Sequence, residues 1–389
     1  MRLLTRTMLA IGGMAVGLIS PSLAQGAAGD LYVSSNDAGL TTSTILRLNP
    51  AAPGFSAFAT TAEGVSFLNF GPNGDLYATN EDHAGVLRVD RSGAVSTIAH
   101  IDFAYGIARE PSGSLVVADY TAAADAGLTR VDPRSGAKQF LVPESPLGAF
   151  FDGVAVGADD TIYAAQNTAG NLLRLPPGGT PTVFADGLSH PVDIEVDIDG
   201  SLLVTDEGNN PDTLDRVDPV TGAVTKLAAL DPSRHIYGLT RGVDGFIYVT
   251  DIGIPDSVLR IDPKTGDSTQ VFADPALITA VDVEAEPPDC HGQLATIYGT
   301  PGNDTISGGP FADVIAGLGG KDKISGLAGG DVLCGGPGRD TLKGGSGRDR
   351  LYGDAGRDML KGGRARDHLI GGREHDSCPG HSSDVRKSC

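Results

Sequence analysis

The chain has 389 residues, a formal net charge of −20 at neutral pH, no tryptophan and 5% aromatic side chains. So acidic a surface opposes binding to nucleic acid or to an anionic membrane, and the few rings give no evident platform for stacking carbohydrate.

Residues 1–24 read as a secretory leader. Arg2 and Arg6 give a positive start, the run from Met8 to Ile19 is apolar but too short to span a bilayer, and Ser22-Leu23-Ala24 offers small residues for cleavage before Gln25. A buried N-terminal helix is the alternative. The expected location is secreted or extracellular, with the periplasm or cell surface as variants. No other stretch is apolar enough for a membrane span.

From Gly29 to Glu284 one unit recurs six times, roughly 40–47 residues apart. Each copy pairs a strand such as Leu31-Tyr32-Val33 with a second such as Ile45-Leu46-Arg47-Leu48. The pair returns as Leu115-Val116-Val117 with Leu128-Thr129-Arg130-Val131, and as Leu202-Leu203-Val204 with Leu214-Asp215-Arg216-Val217. Turn signals such as Asp199-Gly200 and Thr265-Gly266 separate the strands, and no stretch sustains a 3.6-residue apolar period. Four short strands per copy at this spacing predict propeller blades. The run opens on a second strand (Asp30 to Asn36) and closes on an unmatched inner one (Ile278 to Val283). The two ends are therefore expected to complete one blade and protect the sheet edges. The reading is a six-bladed β-propeller over residues 25–285.

These blade motifs resemble the NHL-repeat and SMP-30/gluconolactonase-like propellers. Lactonases of the SMP-30 type hold a divalent metal at one channel mouth with Glu, Asn and Asp ligands. The matching inner-strand starts here read Glu63-Gly64, Tyr105-Gly106, Asp152-Gly153, Val192-Asp193, Tyr237-Gly238 and Thr279-Ala280. Only Glu63 and Asp152 could serve as ligands, because Tyr or Val stands where Asn is expected. Asp119, Asp206 and Asp251 end second strands and either face the mouth or satisfy loop amides. His190 and His235 precede inner strands and suit a hydrogen bond within a blade. No nucleophile and base pattern is found, so no catalytic residue is assigned.

Residues 286–296 form a linker. All four cysteines lie beyond the propeller: Cys290, Cys334, Cys378 and Cys389. An even count in an exported chain suggests disulfides, and four cysteines allow three pairings. Cys290–Cys334 would clip the start of the next domain and Cys378–Cys389 would fold the tail, residues 378–389, over its far end. Zinc is the alternative, without C-x-x-C spacing to support it.

Residues 297–377 carry aspartates at an unbroken nine-residue step: Asp304, Asp313, Asp322, Asp331, Asp340, Asp349, Asp358, Asp367 and Asp376. Two positions after each of the first eight sits Ile or Leu, and glycines fill most of the rest, as in Gly335-Gly336-Pro337-Gly338-Arg339-Asp340-Thr341-Leu342. This is similar to the RTX (hemolysin-type) calcium-binding nonapeptide repeat. The resemblance implies a parallel β-roll with two nonamers per coil, an aliphatic core, and calcium between successive turns, held by turn carbonyls and the aspartates from Asp304 to Asp367. Alternate aspartates would line opposite edges. Stacked carboxylates repel without a cation, and a thin core does not offset the ordering of so glycine-rich a chain, so folding and ion binding should be one event. Arg339, Arg348, Arg357 and Arg366 precede the later aspartates. They either project to solvent or pair with the aspartate edge and partly replace the ion.

The reading is an all-β, secreted calcium-binding protein, with calcium as its cofactor. Its propeller serves recognition or scaffolding for an unknown extracellular ligand or surface component. A metal-dependent SMP-30-like lactonase and a structural surface or matrix protein are the alternatives.

Overall fold

A computed structural model describes residues 29–36, 42–49, 55–61, 64–71, 74–80, 85–119, 127–143, 151–208, 211–252, 256–273 and 280–389. Residues 1–24, expected to be a leader, and Glu63 lie outside the described residues. Among the described residues only Asn167–Ala169 is helical, a single 3-10 turn, and everything else regular is strand.

Six antiparallel four-stranded sheets form the propeller. Their inner strands are Ala280–Ala285, Leu68–Phe70, Ala104–Arg109, Phe151–Val156, His190–Val196 and Ile236–Arg241, taken here as blades I to VI. Blade I joins the two ends of the domain: Leu31 pairs with Ala285 and Tyr32 with Glu284. This is the closure expected from the unmatched strands. Alternating apolar side chains pack between neighbouring blades; Tyr32 of blade I, for example, meets the Phe70 ring of blade II edge-on at 5.2 Å.

A short hairpin, Asp289–Cys290 with Gln293–Leu294, leads into two parallel sheets. One contains Ile297–Tyr298, Val314–Ala316, Val332–Gly338, Arg350–Gly356, His368–Ile370 and Val385–Lys387. The other contains Thr305–Ser307, Lys323–Ala328, Thr341–Ser346 and Met359–Arg364. Ile306 aligns with Ile324 and Leu342, and Ile315 with Leu333 and Leu351, so one coil is two nonamers. The eight aliphatic side chains from Ile306 to Leu369 are at most 1% exposed and form one stack. The last strand comes from the tail. Val385–Lys387 pairs with His368–Ile370 and extends the sheet beyond the final nonamer.

Disulfides join Cys290 to Cys334 and Cys378 to Cys389. The first coil rests on the propeller. Tyr298 donates a hydrogen bond to the Arg241 carbonyl oxygen at 3.1 Å, and a Cβ at Gly309 would overlap the Ala158 carbonyl of blade IV.

Candidate metal centre

The nine-residue step stacks the aspartates of each roll edge, each neighbour eighteen positions further along the chain. The Asp322 backbone N–H donates to Asp340 Oδ1 at 2.8 Å, and Asp340 in turn to Asp358 Oδ1 at 2.8 Å. On the opposite edge Asp313, Asp331 and Asp349 donate likewise to Asp331, Asp349 and Asp367, each at 3.0 Å. Each carboxylate from Asp322 to Asp376 thus uses one oxygen to fasten its own coil to the coil before.

The second oxygen is different. The Oδ2 atoms of Asp322, Asp331, Asp340, Asp349, Asp358, Asp367 and Asp376 are buried without a hydrogen-bond partner. Buried polar atoms in folded proteins nearly always have one. Each faces a place that only glycine leaves open. A Cβ at Gly317 would stand 2.6 Å from Asp322 Oδ2 and 2.7 Å from the Gly335 carbonyl oxygen, and a Cβ at Gly335 would stand 2.5 Å from Asp340 Oδ2 and 2.9 Å from the Gly353 carbonyl oxygen. Carboxylate and carbonyl oxygens converging without a donor are a hard-cation environment. Burial raises the carboxyl pKa values of Asp340, Asp349 and Asp367, and most clearly those of Asp322 and Asp331, each pushed up to about 7, and of Asp358, pushed up to about 6. The N–H of the preceding coil opposes the rise, and the stacked aspartates add to it. These groups lack a positive partner, and calcium fits what they lack.

The two ends of the stack differ from its middle. Asp304 accepts from the Thr300 backbone N–H at 2.6 Å and from the Thr300 hydroxyl at 3.0 Å, and Asp313 Oδ2 accepts from the Gly309 N–H at 2.7 Å. At the far end Asp384 continues one edge, its Oδ1 accepting from the Asp367 N–H at 3.2 Å. Sequence reading missed Asp384 because it follows Asp367 by seventeen residues and falls out of the nine-residue phase. Arg339, Arg348, Arg357 and Arg366 are exposed, and among the described residues no ion pair links them to the aspartate stack. The solvent-facing reading of these arginines is the one the geometry supports.

The channel mouth holds less chemistry. Asp152 is buried, with Oδ1 unpartnered, and burial followed by the charge of Glu207 pushes its pKa up to about 8. Among the described residues no cluster of metal-binding side chains forms around it. The one such cluster, His291, Cys334 and Asp354, includes a cysteine already in a disulfide. Asp206 accepts from the Ser189 and His190 amides and Asp251 from the His235 amide, so both serve loop backbone. His235 Nδ1 lies 3.2 Å from Asp212. Tyr105 and Tyr237, which replace the expected Asn, bring their hydroxyls within 3.2 Å of each other across the channel, with Phe67 against both rings. An aromatic collar therefore stands where ligands would be needed.

Residues 298–333, 334–369 and 343–377 match the RTX calcium-binding nonapeptide repeat (4 copies). The protein is a β-propeller carrying a C-terminal RTX-type roll. Among solved structures it is similar to a chain in the crystal structure of a nidogen/laminin complex, 17% identical, covering 65% of this chain and 97% of that one with a TM-score of 0.55. TolB from Acinetobacter baumannii is 12% identical, with 66% of each chain covered and a TM-score of 0.54. A protein of unknown function from Bacteroides caccae is 11% identical, with 66% and 98% covered and a TM-score of 0.50. At these identities the likeness shows the propeller fold alone. No curated protein sequence matches the chain. Among the described residues no helix is long and apolar enough to cross a membrane.

Proposed function

We propose that this is an exported calcium-binding protein whose roll folds around calcium and whose propeller serves recognition or scaffolding outside the cytosol. The observation that carries the reading is the run of unpartnered Oδ2 atoms from Asp322 to Asp376, each beside a carbonyl oxygen or in line with others that are. Calcium takes six to eight such oxygens in flexible geometry. Asp322, Asp331, Asp340, Asp349, Asp358 and Asp367 are assigned as principal ligands, with Asp304 and Asp313 at the start of the stack as weaker ones. The two disulfides suit an oxidising compartment, and residues 1–24 supply the leader.

The deciding experiment is far-UV circular dichroism of the intact oxidised chain during a calcium titration, reversed with EGTA. The roll's strand signal should appear with calcium and vanish with chelator. Full strand signal in the metal-free protein, indifferent to added calcium, would sink the proposal.

A further inference from the structure

The end of the channel away from Asp152 lies under the roll. Inner strands of blades III, V, VI and I bring Arg109, Glu195, Arg241 and Glu284 to that end. Tyr298 and Thr296 of the roll's first coil close over Arg109, Glu195 and Glu284 to leave a cavity of about 170 Å³. At ~30 Å³ per water it has room for about half a dozen waters, or a ligand of similar heavy-atom count. A second cavity of about 400 Å³ shares Arg109, Glu195 and Tyr298 and follows the seam past Arg174 and Arg241. The aromatic collar bounds the chamber on the other side, and Phe67 lines it.

Four buried polar atoms on residues lining the second cavity, which continues the first, have no partner: Arg109 Nη1, Arg174 Nε, Arg241 Nε and Glu195 Oε2. Unpaired charge in a buried place is costly and asks for an explanation. Arg174 shows how one of them arose. In five blades the third-strand arginine pairs with a carboxylate, as Arg130 does with Glu110 and Arg216 with Asp197. Blade IV has Gly157 at the place of Glu110 and Asp197, as blade VI has Gly242, but Asp159, at the place of the Arg260 partner Asp244, makes no ion pair with Arg174 among the described residues. Arg241 pairs with Asp197 through Nη1 only. Arg109 has no ion pair among the described residues, and burial lowers its pKa. Burial also raises Glu195, and pushes Glu284 up to about 8.

Unpartnered donor atoms of arginine and an unpartnered oxygen of Glu195 thus face one space. A simple anion would leave Glu195 Oε2 unpaired, and a simple cation would leave the arginines so. A metal ion does not suit, because among the described residues no three ligand atoms converge here. We propose that the chamber between propeller and roll binds a small zwitterion of amino-acid type, its carboxylate held by Arg109 and Arg241 and its ammonium by Glu195. This inference goes beyond calcium binding, although the larger cavity reaches Asp313 at the start of the aspartate stack.

The test uses the full calcium-loaded chain, with folding of the roll first verified by circular dichroism, so that a failure of calcium-driven folding is read separately. Glycine, β-alanine and 4-aminobutyrate are titrated calorimetrically against acetate and ethylammonium. At least one zwitterion should bind at least tenfold more tightly than either half-ligand, and Arg109→Gln and Glu195→Gln should each remove that preference. Arg109→Lys keeps the charge without the planar fork and serves where Arg109→Gln does not fold. Binding of none of the five overturns the proposal, leaving a chamber of water. Acetate binding as tightly as the best zwitterion overturns it too, leaving a plain anion site.

Discussion

The Tyr298 hydroxyl donates to the Arg241 carbonyl oxygen at 3.1 Å, fastening the roll's first strand to the inner strand of blade VI. On the proposed reading, a domain that folds with calcium is thereby bonded to the propeller. Tyr298→Phe should lower stability by about 0.5–1.5 kcal/mol, the worth of one such bond. In the wild type, EGTA should lower the melting temperature of the propeller as well as that of the roll, because docking stabilises whatever it binds. A propeller transition unmoved by EGTA would show that the contact contributes nothing.

Ligand roles within the aspartate stack should be unequal. Asp340→Asn keeps an oxygen for the Asp322 N–H but loses the charge beside the Gly353 carbonyl, so fewer calcium ions should bind. Asp304→Asn alters a group already engaged by Thr300 and should change stoichiometry least. Calorimetric titration compares the two directly. Equal losses would argue against the assignment.

Calcium affinity should rise with pH. Burial holds Asp322 and Asp331 at about 7 and Asp358 at about 6, above the ordinary carboxyl value. The unfolded chain ionises these groups freely, so the metal-free roll loses stability as pH climbs from the ordinary value to about 7. Calcium needs the ionised form and must expel the remaining protons. The calcium-induced gain in melting temperature should therefore be larger at pH 8 than at pH 5.5. Proton release on binding, read in two buffers of different ionisation enthalpy, is the check. An affinity flat across this range would contradict the burial argument.

Five residues of the roll carry side chains where the backbone favours glycine: Leu318, Leu327, Asp354, Ala365 and Glu374. Leu327 holds φ 71° and Ala365 φ 80°, while Gly345 and Gly363 hold positive φ at the position equivalent to Leu327. A left-handed residue with a Cβ costs roughly 1–2 kcal/mol, partly offset by the extra freedom of glycine in the unfolded chain. Leu327→Gly and Ala365→Gly should each stabilise the calcium-loaded roll by about 0.5–1 kcal/mol, measured by thermal melting.

Cys290 and Cys334 close a loop across 44 residues that contains the first coils. By the chain-entropy account such a link is worth about 4 kcal/mol. The Cys290→Ser/Cys334→Ser pair should need more calcium to fold, with the titration midpoint moved upward. An unmoved midpoint would mean that the roll starts from its other end.

Most of this architecture could be read from the chain because its units repeat. An inward Ile or Leu two residues after each Asp permits one register only, and the unpaired strand at residues 280–285 has one sensible partner. Three features did not announce themselves. Asp384 sits one residue out of phase. The tail strand Val385–Lys387 has no aspartate-led nonamer before it, so it read as a tail rather than as part of the sheet. The chamber depends on how two separately patterned domains meet. Tyr105 and Tyr237 were visible as departures from Asn, but only the ring geometry brings them together across the channel.

The bond between Leu31–Asn36 and Ala280–Ala285 also sets an order of events. A chain made from its N-terminus holds one sheet edge bare until the stretch ending at Ala285 has emerged. Once the circle shuts, the residues that follow Ala285 land on the finished ring. On the proposed reading, calcium then acts on a roll whose landing place is already built.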